Sequence, residues 1–176
     1  MALTLLRHAA LDPKNKNRYN GWTDVSISIQ DFDKTKISIL MQQKFEEIYS
    51  SDLLRCQETL VTMGKEEYIT DERLREIRFK EEIEGKSFKE IENLPSYDPS
   101  ILEKKHLWYQ YICAESEEVF VSRIISFLRD LPPEKEILIC SHSGTILKIA
   151  SLLGYQKEKI EYLQHIRIEN YDRIAR

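Results

Sequence analysis

Two histidines stand at the ends of short apolar runs, each beside residues that handle anions. Leu6-Arg7-His8-Ala9 closes the run that begins at Ala2, and Ser141-His142-Ser143-Gly144 follows Glu-Ile-Leu-Ile-Cys at 136–140. A third cluster, Ser50-Ser51-Asp52-Leu53-Leu54-Arg55 with Glu58-Thr59, comes after Phe45 to Tyr49. Brought together, these clusters supply two imidazoles and two guanidiniums. Guanidinium forks match phosphate oxygens, and their charge offsets the charge that develops in a phosphoryl-transfer transition state. A neutral imidazole beside them can attack phosphorus. The nearby positive charge lowers its pKa and keeps it unprotonated. The alkoxide that leaves needs a proton, which a carboxylic acid can supply. Glu76, in Leu74-Arg75-Glu76-Ile77, is the first choice for that acid, with Glu81, Glu82 and Glu84 close by in sequence.

Strand ends have to position these residues. Ala2 to Leu6 predicts a central first strand, Phe45 to Tyr49 a second, 67–70 a short third, 136–140 a buried fourth, and 166–171 a last one. Helices are predicted over 53–63, ending at Gly64, and over 144–153, ending at Gly154. Residues 116–131 place Val119, Phe120, Ile124, Phe127 and Leu128 at helical spacing, which predicts one buried face. Strands that alternate with helices argue for an α/β fold with a largely parallel sheet, whose sites form outside the carboxyl ends of its strands. Between about 81 and 118 the chain is polar, aromatic-rich and interrupted by Pro95 and Pro99. This stretch reads as a helical insertion covering one end of the sheet, within a single domain spanning 1–176.

The composition narrows the classes of function. The 176 residues are 41% apolar and 32% charged, ordinary for a globular chain, and no apolar run approaches the roughly 20 residues of a membrane span. The first seven residues are too short a stretch for a secretory signal, so the default expectation is a cytoplasmic protein with no membrane partner. A net charge of −4, from 26 basic and 30 acidic residues, gives no overall attraction to nucleic acid. The three cysteines, Cys56, Cys113 and Cys140, are widely spaced and read as buried thiols rather than disulfides or zinc ligands. No cysteine has the arginine six residues on that a cysteine-nucleophile phosphatase loop requires. The five glycines form neither of the glycine-rich nucleotide-binding motifs. His106 and His165 lack any such context and read as structural, and Trp108, Tyr109 and Tyr111 as packing.

In this order and at this rough spacing, the clusters resemble the histidine phosphatase superfamily, also called phosphoglycerate mutase-like. Its Arg-His-Gly is similar to Arg7-His8-Ala9. Its Arg-aromatic-polar-Gly-x-x-Asp is matched by Arg18-Tyr19-Asn20-Gly21-Trp22-Thr23-Asp24, and its Ser-Asp-Leu-x-Arg-x-x-x-Thr by Ser51 to Thr59. Leu74 to Glu76 match Leu-x-Glu, Ala114-Glu115-Ser116 with Arg123 match a Gly-Glu-Ser-like segment, and Ser141 to Gly144 match Ser-His-Gly-Gly. The resemblance implies a three-layer α/β/α sandwich with a mostly parallel central sheet, and neither a metal nor a cofactor. It implies His8 as nucleophile, Arg7, Arg55 and His142 as the phosphate pocket, and Glu76 as proton donor and later base. Asn20 and Gly21 fall where the family uses backbone groups near substrate. Lys14 falls where many members have asparagine, and a lysine can also hold a phosphate as a point charge. Ala9 and Ser143 each replace a family glycine, and Ser143 is counted with the substrate-binding positions. Phe79 to Gly85 resembles Phe-Gly-x-Trp-Glu-Gly with one residue more and without the first glycine and the tryptophan.

The expectation is a metal-independent phosphatase that hydrolyses a small phosphorylated metabolite through a phosphohistidine intermediate. Arg18 to Asp24, the short chain and the Phe79–Gly85 stretch look most like the α-ribazole phosphatase branch. A protein phosphohistidine phosphatase, a phosphoglycerate mutase and a non-catalytic phosphate-binding module are the rivals. True mutases resemble longer chains with extra enclosing segments. The sequence leaves the oligomeric state open.

Overall fold

The computed structural model describes residues 2–132 and 134–169. Five strands form one sheet: β1 (Ala2–Arg7), β2 (Glu47–Ser50), β3 (Ile69–Thr70), β4 (Glu136–Ser141) and β5 (His165–Glu169). Their order across the sheet is β3-β2-β4-β1-β5. The first four run parallel, and only the edge strand β5 pairs antiparallel, against β1. β1 and β4 sit inside the sheet, which accounts for their nearly unbroken apolar runs, since strands covered on both faces lose the usual apolar–polar alternation.

Successive residues of these strands feed two cores on opposite faces. Leu3, Leu5, Ile137 and Ile139 pack with α5 (Glu117–Asp130) and α6 (Ser143–Leu152). Leu6, Leu138 and Cys140 pack on the other face with α1 (Ser38–Gln42) and α2 (Leu54–Thr62). The result is the expected three-layer sandwich. α5 begins at Ser116, whose hydroxyl accepts the Val119 N–H, and carries Glu117 and Glu118 in its first turn, where the helix dipole favours them. Four of its five expected core residues are buried, whereas Val119 is 56% exposed. At 3.6 residues per turn Val119 lies about 100° round from Phe120, on the side away from Ile124 and Leu128.

Residues 81–118 hold two short helices, α3 (Phe88–Ile91) and α4 (Lys105–Ile112), with a 3₁₀ turn at Pro99–Leu102 between them. Ile83, Ile91, Ile112 and Cys113 form a small third cluster there, joined by Tyr19, Phe79 and Trp108. The short helix α1 and the reversed direction of β5 were not anticipated. The last strand begins one residue before its expected start, and its expected final residues, 170 and 171, lie outside the described residues. The three cysteines are free and buried. Among the described residues no helix is long and apolar enough to cross a membrane.

Candidate active site

Register brings the two histidines together. β1 and β4 pair with Arg7 opposite Ser141, and the His8 N–H donates to Ser141 O at 3.0 Å. The next residues, His8 and His142, therefore emerge side by side, with ring centroids 5.3 Å apart. On the other side of β4, Ser50 lies opposite Cys140, and the Ser51 N–H reaches Cys140 O at 2.9 Å. That step sets Ser51 against His142 and launches α2. The cap residue of α2, Leu53, has no side chain able to satisfy a first-turn N–H, so Asp24 reaches across and accepts the Leu54 N–H at 2.7 Å. Arg55, in that first turn, is 1% exposed.

The hydrogen bonds fix both tautomers. His8 Nδ1 lies 2.8 Å from Ala9 O, which can only accept. The proton therefore sits on Nδ1, and in the neutral ring Nε2 keeps its lone pair. His142 has the opposite arrangement. Arg55 Nε donates to its Nδ1 at 3.1 Å, so its proton is on Nε2, 2.8 Å from Ser51 Oγ. Burial, then the charges of Arg55 and Arg7, hold the His8 pKa well below the ordinary imidazole value, although the Ala9 carbonyl pulls the other way. Burial and Arg55 do the same for His142. Ala9 is fully buried, and its N–H donates to Thr59 Oγ1 at 2.9 Å. Its φ is not positive, so the missing family glycine costs the loop nothing there.

The arginines differ in how they are held. Arg7 donates from Nη1 to Ile160 O at 2.7 Å and lies over the Tyr162 ring, 4.0 Å from its centroid. Its buried Nε has no hydrogen-bond partner among the described residues. Arg55 gives three of its four remaining donors to Thr23 O (2.9 Å), Asn20 O (3.2 Å) and Gly21 O (2.7 Å). Glu76 accepts the Ile77 N–H on Oε1 and the Gly144 N–H on Oε2, both at 3.0 Å. Its carbonyl takes Trp22 Nε1 and Arg123 Nη2, and Arg123 also ties down the carbonyls of Arg73 and Arg75 and pairs with Glu115. A Cβ at Gly144 would stand 2.5 Å from Glu76 Oε1, which accounts for the glycine that survives in this motif.

A cavity of about 150 Å³ opens on this group, walled by Arg7, His8, Arg55, Glu76 and His142. Leu11, Arg18, Tyr19, Asn20, Phe79 and Tyr162 complete its wall. Three expected substrate contacts are placed elsewhere. Lys14 sits exposed in the 3₁₀ turn Pro13–Asn15, which Asp12 caps, and Arg18 occupies the wall in its stead. Ser143 starts α6 and does not line the cavity, nor does Gly21, whose N–H and C=O are taken by Glu84 and Arg55. Glu81 and Glu82 are exposed, away from the cavity, which leaves Glu76 as its carboxylate. Sequence reasoning missed Leu11 and Tyr162 and quoted Arg18, Tyr19 and Phe79 only as parts of motifs. Nothing local marks Tyr162, which reaches the cavity because the segment before β5 returns to β1, with Leu163 N–H bonded to Arg7 O at 3.2 Å.

A model of the histidine phosphatase superfamily (branch 1) matches residues 3–172. The chain belongs to that superfamily. A 2,3-bisphosphoglycerate-dependent phosphoglycerate mutase of Pseudoalteromonas atlantica is 40% identical to this chain over 60 residues, a stretch that is 33% of the chain and 26% of the mutase. The chain thus spans about a quarter of that curated relative. Among solved structures, TTHB049 from Thermus thermophilus is similar at a TM-score of 0.74 and 24% identity, covering 97% of this chain and 94% of that one. A phosphoglycerate mutase from the same organism has a TM-score of 0.71 and 23% identity, at the same coverage. These two likenesses bear on the fold alone.

Proposed function

We propose that this histidine phosphatase superfamily member is a metal-independent phosphatase that hydrolyses a small-molecule phosphate monoester through a phosphohistidine on His8. The carrying observation is the His8 ring itself, whose Nδ1–H is bound to Ala9 O so that an unprotonated Nε2 shares a small cavity with Arg7 and Arg55. The buried, unpaired Nε of Arg7 is a donor that a phosphoryl oxygen would satisfy.

In the first half-reaction Nε2 attacks phosphorus, the P–O bond to the alcohol breaks, and Glu76 gives its proton to the departing oxygen. In the second, water attacks the phosphohistidine, Glu76 takes the proton of that water, and the P–N bond breaks to return neutral His8 and phosphate. Arg7 and Arg55 supply the positive charge that a metal would otherwise bring. His142 supports this arrangement by fixing Arg55 Nε. Leu11, Tyr19, Phe79 and Tyr162 stand among the charged residues of a mostly polar wall, and a flat ring carried by the alcohol, as in α-ribazole phosphate, would pack against the aromatic rings at the cavity mouth while the phosphoryl group fills the small cavity. The match to a bisphosphoglycerate-dependent mutase supports a second reading, in which the phosphoryl group returns to an organic acceptor instead of water.

The test is phosphate release from a chromogenic ester and from a panel of phosphorylated metabolites, with EDTA present, together with labelling of His8 by a phosphate donor. Turnover that persists in EDTA and disappears, along with the label, in His8→Ala is expected. Isomerised ester without phosphate release would favour the mutase. Activity that requires added magnesium, or survives in His8→Ala, would overturn the proposal.

A further inference from the structure

Arg55 contacts the loop 20–23 entirely through backbone carbonyls, so the orientation of its guanidinium is set by the orientation of three peptide planes. One of those planes, the one joining Asn20 to Gly21, is held on its opposite edge by a single side chain that also grips Thr23. Glu84 Oε1 accepts the Gly21 N–H at 2.7 Å, the Thr23 N–H at 3.1 Å and the Thr23 hydroxyl at 2.7 Å. The peptide joining Asn20 to Gly21 is gripped on both edges, its carbonyl by Arg55 and its N–H by Glu84. A peptide unit is planar, so fixing its N–H fixes the direction of its C=O. Gly21 lets the parts close up. A Cβ there would stand 2.6 Å from Ile77 O, 2.8 Å from Glu84 Oε2 and 2.9 Å from the Phe79 ring. Glu84 itself does not line the cavity.

We propose that Glu84 is a positioning residue for the anion site, acting through the 20–23 loop to aim the Arg55 guanidinium. The proposal rests on the reading of Arg55 as part of that site. Both groups of Gly21 serve this brace, so Gly21 orients an arginine, while Asn20 beside it lines the cavity. The negative charge of Glu84 also lies where it supports the buried cation, together with those of Glu76 and Asp24. Glutamate is the suitable residue because one carboxylate oxygen takes three donors at once, whereas a glutamine can present an oxygen of lower charge or a competing donor.

The test is a double-mutant cycle of Glu84→Gln and Arg55→Lys, read on the dissociation constant for inorganic phosphate and, separately, on kcat and KM for an aryl phosphate. Lysine keeps the charge at 55 but not the fork that grips the loop. Glu84→Gln is expected to weaken phosphate binding and kcat/KM by on the order of tenfold to a hundredfold in the otherwise native protein, as misplacement of a positioning group does. In the Arg55→Lys background it should cost less than about threefold, because the residue it aims is gone. The same fold-loss in both backgrounds, or no loss in the native background, would overturn the proposal. Should Glu84→Gln fail to fold, as judged by near-UV circular dichroism, Thr23→Val takes its place in the cycle, removing one of the three donors with the same expected non-additivity. A native protein that binds phosphate but turns over no ester would sink the phosphohistidine reading, while the binding cycle would still judge Glu84.

Discussion

Replacing Glu76 by glutamine separates the chemistry of that residue from its packing. The carboxylate accepts two backbone N–H groups, from Ile77 and Gly144. Glutamine has one oxygen and one amide nitrogen, so whichever way it turns, one of the two N–H groups faces another donor. That unsatisfied contact costs about 1–3 kcal/mol. For a chain of this length it lowers Tm by roughly 2–4 °C per kcal/mol, or about 2–12 °C in all. The protein should therefore remain folded at 25 °C, and lost activity will not reflect unfolding. Loss of the proton donor is a separate and larger effect, about 10²–10⁴-fold, or roughly 2.7–5.4 kcal/mol of barrier. It falls on alkyl phosphates, whose alkoxide cannot leave unaided, and much less on aryl phosphates with acidic phenols. The assay is stopped-flow and steady-state hydrolysis of one alkyl and one nitrophenyl ester by the native and variant proteins. The variant should give a burst of nitrophenol followed by a slow phase, because phosphohistidine still forms while its hydrolysis lacks a base. An equal loss on both esters with no burst would show that Glu76 only holds the loop together.

Gly144→Ala should push the Glu76 carboxylate out of place, since the new methyl would stand 2.5 Å from Oε1; kcat on the alkyl ester should fall by on the order of tenfold or more with KM nearly unchanged, and a variant with native kcat would remove the reason given for this glycine. Because the folded-state pKa of His8 and of His142 is lowered, protonation is disfavoured in the native state and more protons bind on unfolding. Their contribution to stability is complete above the unfolded value of about 6.5 and is lost as pH falls towards the folded values, so the urea midpoint should rise with pH through the window below about 6.5. His8→Asn should flatten that rise, and an unchanged slope would contradict the assigned burial. Phe127→Ala should cost about 3–5 kcal/mol in urea unfolding, as for a buried aromatic removed from a core, whereas Val119→Lys should change stability by less than about 0.5 kcal/mol.

β1, β4 and α5 could be read from the sequence because the physics that forms them is local: two continuous apolar runs, and one apolar stripe at helical spacing. Arg7, His8, Arg55, Glu76 and His142 could be picked out as candidates because each lies at, or within a few residues of, an element's end that its neighbours mark. The residues that the structure places away from their expected positions share a different cause. Lys14 shares the chain neighbourhood of the site, but a capped turn aims it at solvent, and cap geometry decides between Lys14 and Arg18 without leaving a mark on either. Gly21 matches a motif, yet what it does depends on Glu84, 63 positions away. Val119 belongs to the right helix on the wrong side of it. The antiparallel direction of β5 has no local signature, because a strand of either sense can show the same apolar pattern.

The position of β1 has a consequence for synthesis. This strand precedes the other four along the chain and leads directly into His8, the proposed nucleophile, but both of its neighbours, β4 and β5, come from much later in the chain. About 130 residues separate Arg7 from Glu136, a delay of roughly 6–26 s at ordinary elongation rates. Until β4 emerges, β1 is an apolar segment with two unpaired edges, and His8 has neither His142 beside it nor Tyr162 and the Ile160 carbonyl to hold Arg7. A nascent chain halted before β4 should thus be inert towards phosphate donors and dependent on chaperones, and competence should arrive in a single late step when the strands close on β1.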